Sequence, residues 1–333
     1  MIALVRGDKN VPLMAVFIFA IATLLVSPFV GMKFMSLYDV IPGTPSGEIF
    51  WKLRVPRTLM AFLAGAGLSL SGMTFQAVFR NPLATPFTLG VSSGASLGAA
   101  LYVAFGFTFG LLGMSGISVF AFAGSSVAII IVYGLTKLRH GSSIGTMLLA
   151  GVAVSFFFLS VIMFIQYLMD FTRSYLILRW LMGGVDVVGY GDVANAFPLV
   201  AVGAFVVIYF SRELDLLMTD EDIAISRGVD TGRVKLYLFI ATSLMVGGLV
   251  AICGPIGFVG MMAPHICRLI VGADHRTLAW GCMVFGGAFL VLCDTFSRTV
   301  VAPTEIPVGV VTALLGGPFF LWLLLGRRFG KAF

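Results

Sequence analysis

Four groups of residues in this sequence have types and spacings suited to more than packing. Arg54 and Arg57 stand at the head of a long apolar run, and Arg298 closes another. A planar guanidinium pairs bidentately with a carboxylate, so such a set offers fixed positive charge to an acidic partner. The same residues at a membrane edge also serve as interfacial anchors, with their stems laid along apolar surface. A second group lies in Met218 to Val229, where Asp220, Glu221 and Asp222 precede Ala224, Arg227 and Gly228. Acids suit the start of a helix, where the dipole favours negative charge, and Gly228 permits a turn after one short helix. Ile223, Ala224 and Val229 could add a small apolar face. The segment reads either as a solvated loop or as a short helix made to fit a groove on a partner. Ser143, Ile144 and Gly145 form a third group ahead of an apolar run. They are small enough at that point either to close the inner end of a pore or simply to pack helix ends. His265 and Cys267 make the fourth. Ligands at i and i+2 do not share a helix face and no third ligand is near, so no metal site is expected.

Other chemistries are missing. There is no G-x-x-x-x-G-K-S/T loop, so the chain has no P-loop of its own for ATP. No paired carboxylates or nucleophile–base set falls inside the apolar runs, and no catalytic residue or cofactor is expected. The four cysteines, Cys253, Cys267, Cys282 and Cys293, lie in apolar surroundings and read as small buried hydrophobes. Ionisable residues, which would mark an ion or proton pathway, are nearly absent from the run interiors. Asp294 is the main exception.

The elements that must position these groups follow from composition. Of 333 residues, 59% are hydrophobic and 11% charged, against about 25% charged in a soluble domain. Such a chain cannot cover a water-facing surface, so it is an all-α polytopic membrane protein in one domain, 1–333. Ten apolar runs are long enough to cross a bilayer, at about 11–31, 58–79, 83–106, 113–135, 142–169, 191–210, 236–253, 255–272, 277–297 and 307–325. Lys33 to Lys52, rich in Pro and Gly, reads as a loop. Ser174 to Met182 reads as an interfacial helix, with Tyr175 and Trp180 at headgroup level. The longest charged segment is 211–235. Gly90, Gly94 and Gly98 would share one helix face and admit a close neighbour. With both termini cytoplasmic, 14 of the 21 Lys and Arg fall on the inner side, as the positive-inside rule asks. The net charge of +6 is then membrane topology, and no nucleic-acid partner is expected. Glycine-rich helices followed by proline-broken ones recur in spans two to five and seven to ten, as inverted repeats would.

One stretch is long and specific enough to carry a resemblance. Arg54-Val55-Pro56-Arg57 is followed by Gly72, Gln76, Phe79, Asn81-Pro82-Leu83-Ala84 and Pro86, then by Leu89-Gly90-Val91-Ser92 and Gly94-Ala95. This order resembles the permease subunits of ABC importers for iron–siderophore complexes, haem and cobalamin. Gly257 to Arg268, with Pro264 and His265, and Glu305 to Phe319 are similar to further motifs of that family. The resemblance implies an inverted-repeat type II importer permease in the bacterial inner membrane. It implies two cytoplasmic ATP-binding subunits, an extracytoplasmic substrate-binding protein, and a second permease that is either an identical copy or a similar chain. Arg54, Arg57 and Arg298 would then dock the binding protein. Glu221, Ala224, Arg227 and Gly228 would couple to the ATPase, with Asp220 and Arg227 standing where the family often has glycine and leucine. Ser143, Ile144 and Gly145 would lie at the cytoplasmic gate. Iron–siderophore complexes are the leading cargo, with haem and cobalamin as alternatives. A stand-alone secondary transporter is the reading from a different class.

Overall fold

The computed structural model describes residues 10–111, 113–138 and 144–325. Helices run in the order α1 (Asn10–Val26), α2 (Pro45–Ile49), α3 (Val55–Val78), α4 (Val91–Phe105), α5 (Gly116–Leu138), α6 (Ile144–Leu168) and α7 (Phe171–Leu181). They continue with α8 (Gly191–Tyr209), α9 (Ser211–Thr219), α10 (Glu221–Ser226), α11 (Thr231–Cys253), α12 (Val259–Val271), α13 (His275–Ser297) and α14 (Val308–Leu325). A two-stranded antiparallel ribbon pairs Gly110–Leu111 with Met114–Ser115 ahead of α5. Seven helical stretches are long and apolar enough to span a bilayer, and three shorter apolar helices, Val91–Phe105, Val259–Val271 and Val308–Leu323, accompany them.

The Pro/Gly-rich segment after α1 is not all loop, as its composition suggested. Thr44 caps α2 by accepting from the Gly47 N–H at 3.0 Å. The helix then passes through one π turn, Phe50–Arg54, into α3 without a break, so Pro45–Val78 is a single 34-residue stretch. Pro56 explains part of this geometry. It has no N–H to give to the carbonyl four residues back, and that carbonyl, of Lys52, instead accepts from the Gly189 N–H at 2.8 Å. Pro264 acts in the same way within α12, which it does not interrupt. It leaves the Gly260 carbonyl free, and the Gln76 side-chain amide approaches that oxygen and the Met261 carbonyl at 3.5 and 3.4 Å. In both places a neighbouring element completes what proline leaves undone.

The core is built around α3, whose membrane-length window is 83% buried, against 28% for α1, α6 and α8. It packs on α13, α12, α11 and α8. Glycine sets the spacing. A Cβ on Gly65 would lie 2.2 Å from the Gly286 carbonyl oxygen, and one on Gly72 would lie 1.7 Å from that of Gly260. Backbones therefore touch, as membrane helices do where small residues face each other. The α4–α5 pair is built alike, through Gly94 and Gly98 against Gly124 and Phe120. Gly90 does not join that face. It is the left-handed residue (φ 82°) that starts α4 after the Pro86–Leu89 turn.

The charged segment 211–235 is likewise helical over most of its length. Ser211, Leu214 and Leu217 of α9 are buried, three apart on one face, which makes α9 an amphipathic helix. Asp220 ends it and caps α10, accepting from the Asp222 N–H at 2.8 Å. Gly228, at φ 83°, turns the chain away.

The glycine seam supplies a test. Gly72→Ala should cost about 3 kcal/mol or more through overpacking against backbone that cannot retreat, read as a lower midpoint of thermal unfolding in detergent. Gly134→Ala in α5, where a Cβ would meet nothing within 4 Å, should be neutral or raise stability by about 0.5 kcal/mol.

Candidate functional site

Charge in the folded chain collects at two ends. α3 spans 24 residues, which sets Arg57 at its start roughly 35 Å from Arg80 beyond its last turn. At the Arg57 end, the guanidinium grips Asp294 of α13 edge-on. Its Nε donates to Oδ1 at 3.0 Å and Oδ2 at 3.2 Å, and its Nη2 stands 2.9 Å from Oδ1. Nη1 donates to Glu305 Oε2 at 2.8 Å. Arg298 stands on the other side of Asp294, 3.6 Å from Oδ2, and its Nη2 donates to the Ser27 carbonyl at 2.9 Å and to the Ser27 hydroxyl at 2.8 Å. Arg54 donates to three backbone carbonyls, of Pro28, Phe29 and Lys33, at 3.0, 3.2 and 2.7 Å.

The three arginines singled out in the sequence are thus brought together, but they do not stand alike. Arg298 is 5% exposed and faces inward, while the Arg57 side chain keeps 15%. The reason is Asp294, which is 1% exposed. A buried carboxylate needs compensation, and both cations turn toward it. Beside Arg57 opens a cavity of about 850 Å³, lined among others by Arg179, Asp186, Asp192, Glu305, Tyr102 and Trp180. Glu305 and Asp192 were not picked out by sequence reasoning. Glu305 opens a motif that carried the resemblance but was given no role there, Asp192 belongs to none, and only the fold brings them to Arg57.

At the opposite end, α9 and α10 lie against the core through three contacts. Arg80 Nε donates to the Leu217 carbonyl at 2.8 Å, from a backbone held at φ 48°. Asp215 Oδ1 accepts from the His275 N–H at 3.0 Å and lies 2.6 Å from that ring's Nδ1, clipping α9 to the first turn of α13. Although burial pushes the Asp215 carboxyl up, the hydrogen bonds and charge of His275 leave it below its usual range. Lys235 Nζ meets Glu221 Oε1 at 2.6 Å, and this bond holds Glu221 below the usual carboxylate range. Ala224 is fully buried, so it seats α10 and is not displayed to solvent as part of an apolar face with Ile223 and Val229. The residues displayed are Asp222, Ile223, Ile225, Ser226, Arg227 and Gly228.

Of the expected gate residues, Ser143 lies outside the described residues, as do the basic residues of both termini and Arg139. Ile144 opens α6, and a Cβ on Gly145 would meet nothing within 4 Å. His265 is buried and its ring meets Phe319 edge-on at 6.0 Å. Among the described residues no group of three His, Cys, Asp or Glu could hold a metal ion.

Apolar helices around one close-packed core, with ionic clusters at the two ends, define a multi-pass membrane permease. The model of the FecCD transport family matches residues 14–326, and the chain belongs to this family of ABC importer permeases. The hemin transport system permease protein HmuU of Yersinia pestis is 34% identical over 298 residues, covering 89% of each chain. The vitamin B12 import system permease protein BtuC of Escherichia coli is 37% identical over 317 residues, covering 95% of each. A solved structure of a candidate metal-chelate type ABC transporter, in an inward-facing conformation, superposes with a TM-score of 0.84 at 29% identity, over 94% of this chain and 98% of that one.

Two predictions follow from the ionic contacts. Asp294→Asn leaves two buried cations facing each other and should cost about 3–5 kcal/mol, whereas Glu305→Gln, at a half-exposed carboxylate, should cost less than about 1 kcal/mol; thermal unfolding of the purified permease separates them. The depressed Glu221 gives its contribution in full above the ordinary carboxylate pKa of about 4.3, and loses it only as pH falls through the lower folded value. Amide exchange of α10, corrected for intrinsic rate, should therefore match at pH 5 and pH 8, and Glu221→Gln should raise it several-fold at both.

Proposed function

We propose that this chain is the membrane subunit of an ATP-driven importer that moves a chelated metal complex across the bacterial inner membrane by alternating access. Both termini lie on the cytoplasmic side in this reading, the Glu221 end faces the cytoplasm and the Arg57 end faces outward. The observation that carries it is α10, a six-residue helix clamped by Glu221–Lys235 with Ile223, Ile225 and Arg227 turned to solvent. A membrane protein with no P-loop needs an outside source of energy, and α10 has the size and mixed surface to seat in a groove of an ATP-hydrolysing subunit. Two such subunits would serve a pair of permeases, either two copies or this chain with a similar one.

At the outer end, Arg54 and Arg57 would receive carboxylates of a substrate-binding protein, with Arg298 holding Asp294 and hence Arg57 in place. Ser143, Ile144 and Gly145 would narrow the path on the cytoplasmic side. Iron–siderophore complexes remain the leading cargo. The similarity to permeases named for hemin and vitamin B12 supports haem or cobalamin as the alternatives. A stand-alone secondary transporter is disfavoured, because Asp294 is held by two arginines and so is poorly suited to carry an ion.

The test is uptake into lipid vesicles containing the permease with its ATPase and binding protein, supplied in turn with ferric siderophores, haem and cobalamin. ATP-dependent uptake of one cargo is expected, reduced at least about tenfold by Glu221→Lys. Arg54→Glu should remove stimulation by the binding protein and spare basal ATP hydrolysis. Uptake by the permease alone, driven by an ion gradient, would overturn the reading.

A further inference from the structure

Arg268, in the last turn of α12, is an arginine whose partner is missing from this chain. Its Nη1 donates to Gln76 Oε1 at 2.6 Å. Its Nε and Nη2 are buried and make no hydrogen bond, and no carboxylate among the described residues forms an ion pair with it. Gln76 cannot help further. Its oxygen meets only Nη1, and its amide nitrogen faces the Gly260 and Met261 carbonyls. A buried cation left unpaired is costly, and an arginine edge with two parallel N–H groups is the geometry that a carboxylate fits. This chain shows the same edge filled elsewhere, where Nε and Nη2 of Arg57 hold Asp294.

Arg268 also lines, with Gln76, Arg80, Asn81, Pro82 and Met218, a small and mostly apolar cavity of about 140 Å³, while its Nε and Nη2 are closed to solvent. Arg80 at its rim is exposed, so two cations border a space sized for one side chain. Met218 belongs to α9, two residues before the cap of α10, and Arg80 is tied to the neighbouring Leu217 carbonyl. The cavity therefore adjoins the surface assigned above to the ATPase. We propose that it receives an acidic side chain of the ATP-hydrolysing partner, and that the Arg268 guanidinium turns its unpaired Nε–Nη2 edge into the cavity to meet that carboxylate while Arg80 draws it in. This rests on the reading of α10 as the coupling element and adds a second, charge-specific contact beside it.

The experiment measures affinity between the purified full-length permease in nanodiscs and its ATPase, together with thermal unfolding of the permease alone. Arg268→Gln should leave the isolated permease as stable as the wild type or more so, because it removes an unpaired charge. It should weaken ATPase binding about 30-fold or more, the scale for truncating one side of a buried charge pair. Arg268→Lys keeps the charge without the fork, so it should also bind weakly, and it serves if the glutamine variant fails to fold. Inorganic phosphate should compete with ATPase binding to the wild type more strongly than to Arg268→Lys. Wild-type affinity in both variants, alongside weakened binding by Glu221→Lys, would overturn the site and leave the importer reading standing. Phosphate that saturates the cavity without disturbing assembly would make it a free-anion site and overturn the partner assignment. A wild-type permease that binds no ATPase would overturn both.

Discussion

Close approach of backbones along α3 is the constraint on which the rest depends. Gly65 against Gly286 and Gly72 against Gly260 leave no room for a methyl group, so α3, α13 and α12 are held at fixed spacing and register. In a bilayer there is no hydrophobic force between helices to restore a loosened pair, and contact at van der Waals distance has to do that work. The registers so fixed bring Arg57 to Asp294, 237 residues apart in sequence, and Gln76 to Arg268, 192 apart. Both ionic ends are thus consequences of where glycine sits in the middle.

The second constraint is that every polar backbone group at membrane depth needs a partner. Proline tests it directly. Pro56 and Pro264 each strip a carbonyl of its helical donor, and each time another element answers: the Gly189 N–H at Lys52, the Gln76 amide at Gly260. These answers tie α3 to the segment before α8 and to α12. A proline that reads in the sequence as a helix breaker is, in the fold, the place where two elements are joined.

That difference marks what could be read in advance. Apolar run length gave the membrane-length helices, because it depends on local composition, but not α2 or α9. The Arg54, Arg57 and Arg298 group was found by spacing, and the fold does gather it. What spacing could not reveal was direction. Arg298 turns inward because Asp294 is buried, and Asp294 is buried because of the α3–α13 register. Within 211–235 the sequence left α10 open between a loop and a short helix and missed α9, because its charges mask Ser211, Leu214 and Leu217, whose i, i+3 pattern marks a one-faced helix; a shorter window would have shown it. The Asp215–His275 clip had no such signal, since nothing near either residue points to the other.

The way these parts are joined decides how force can travel. The core of α3, α12 and α13 is locked by backbone contact, and interfaces of that kind switch or move as units and do not deform gradually. α10 is a short helix, but it does not hang free. Ala224 seats it, Glu221–Lys235 pins it to α11, and through α9 it is clipped to α13 by Asp215–His275 and to the end of α3 by Arg80. A push on α10 therefore reaches three core helices within one side chain of its point of application. Arg57–Asp294 binds two of those same helices at the far end, so a tilt imposed at one end must appear at the other. The looser elements, α1, α6 and α8, with 28% of their windows buried, are where such a tilt can be absorbed by lipid or by a second subunit. A rigid centre, a clipped lever and compliant flanks let a displacement at the Glu221 end be carried to the Arg57 end.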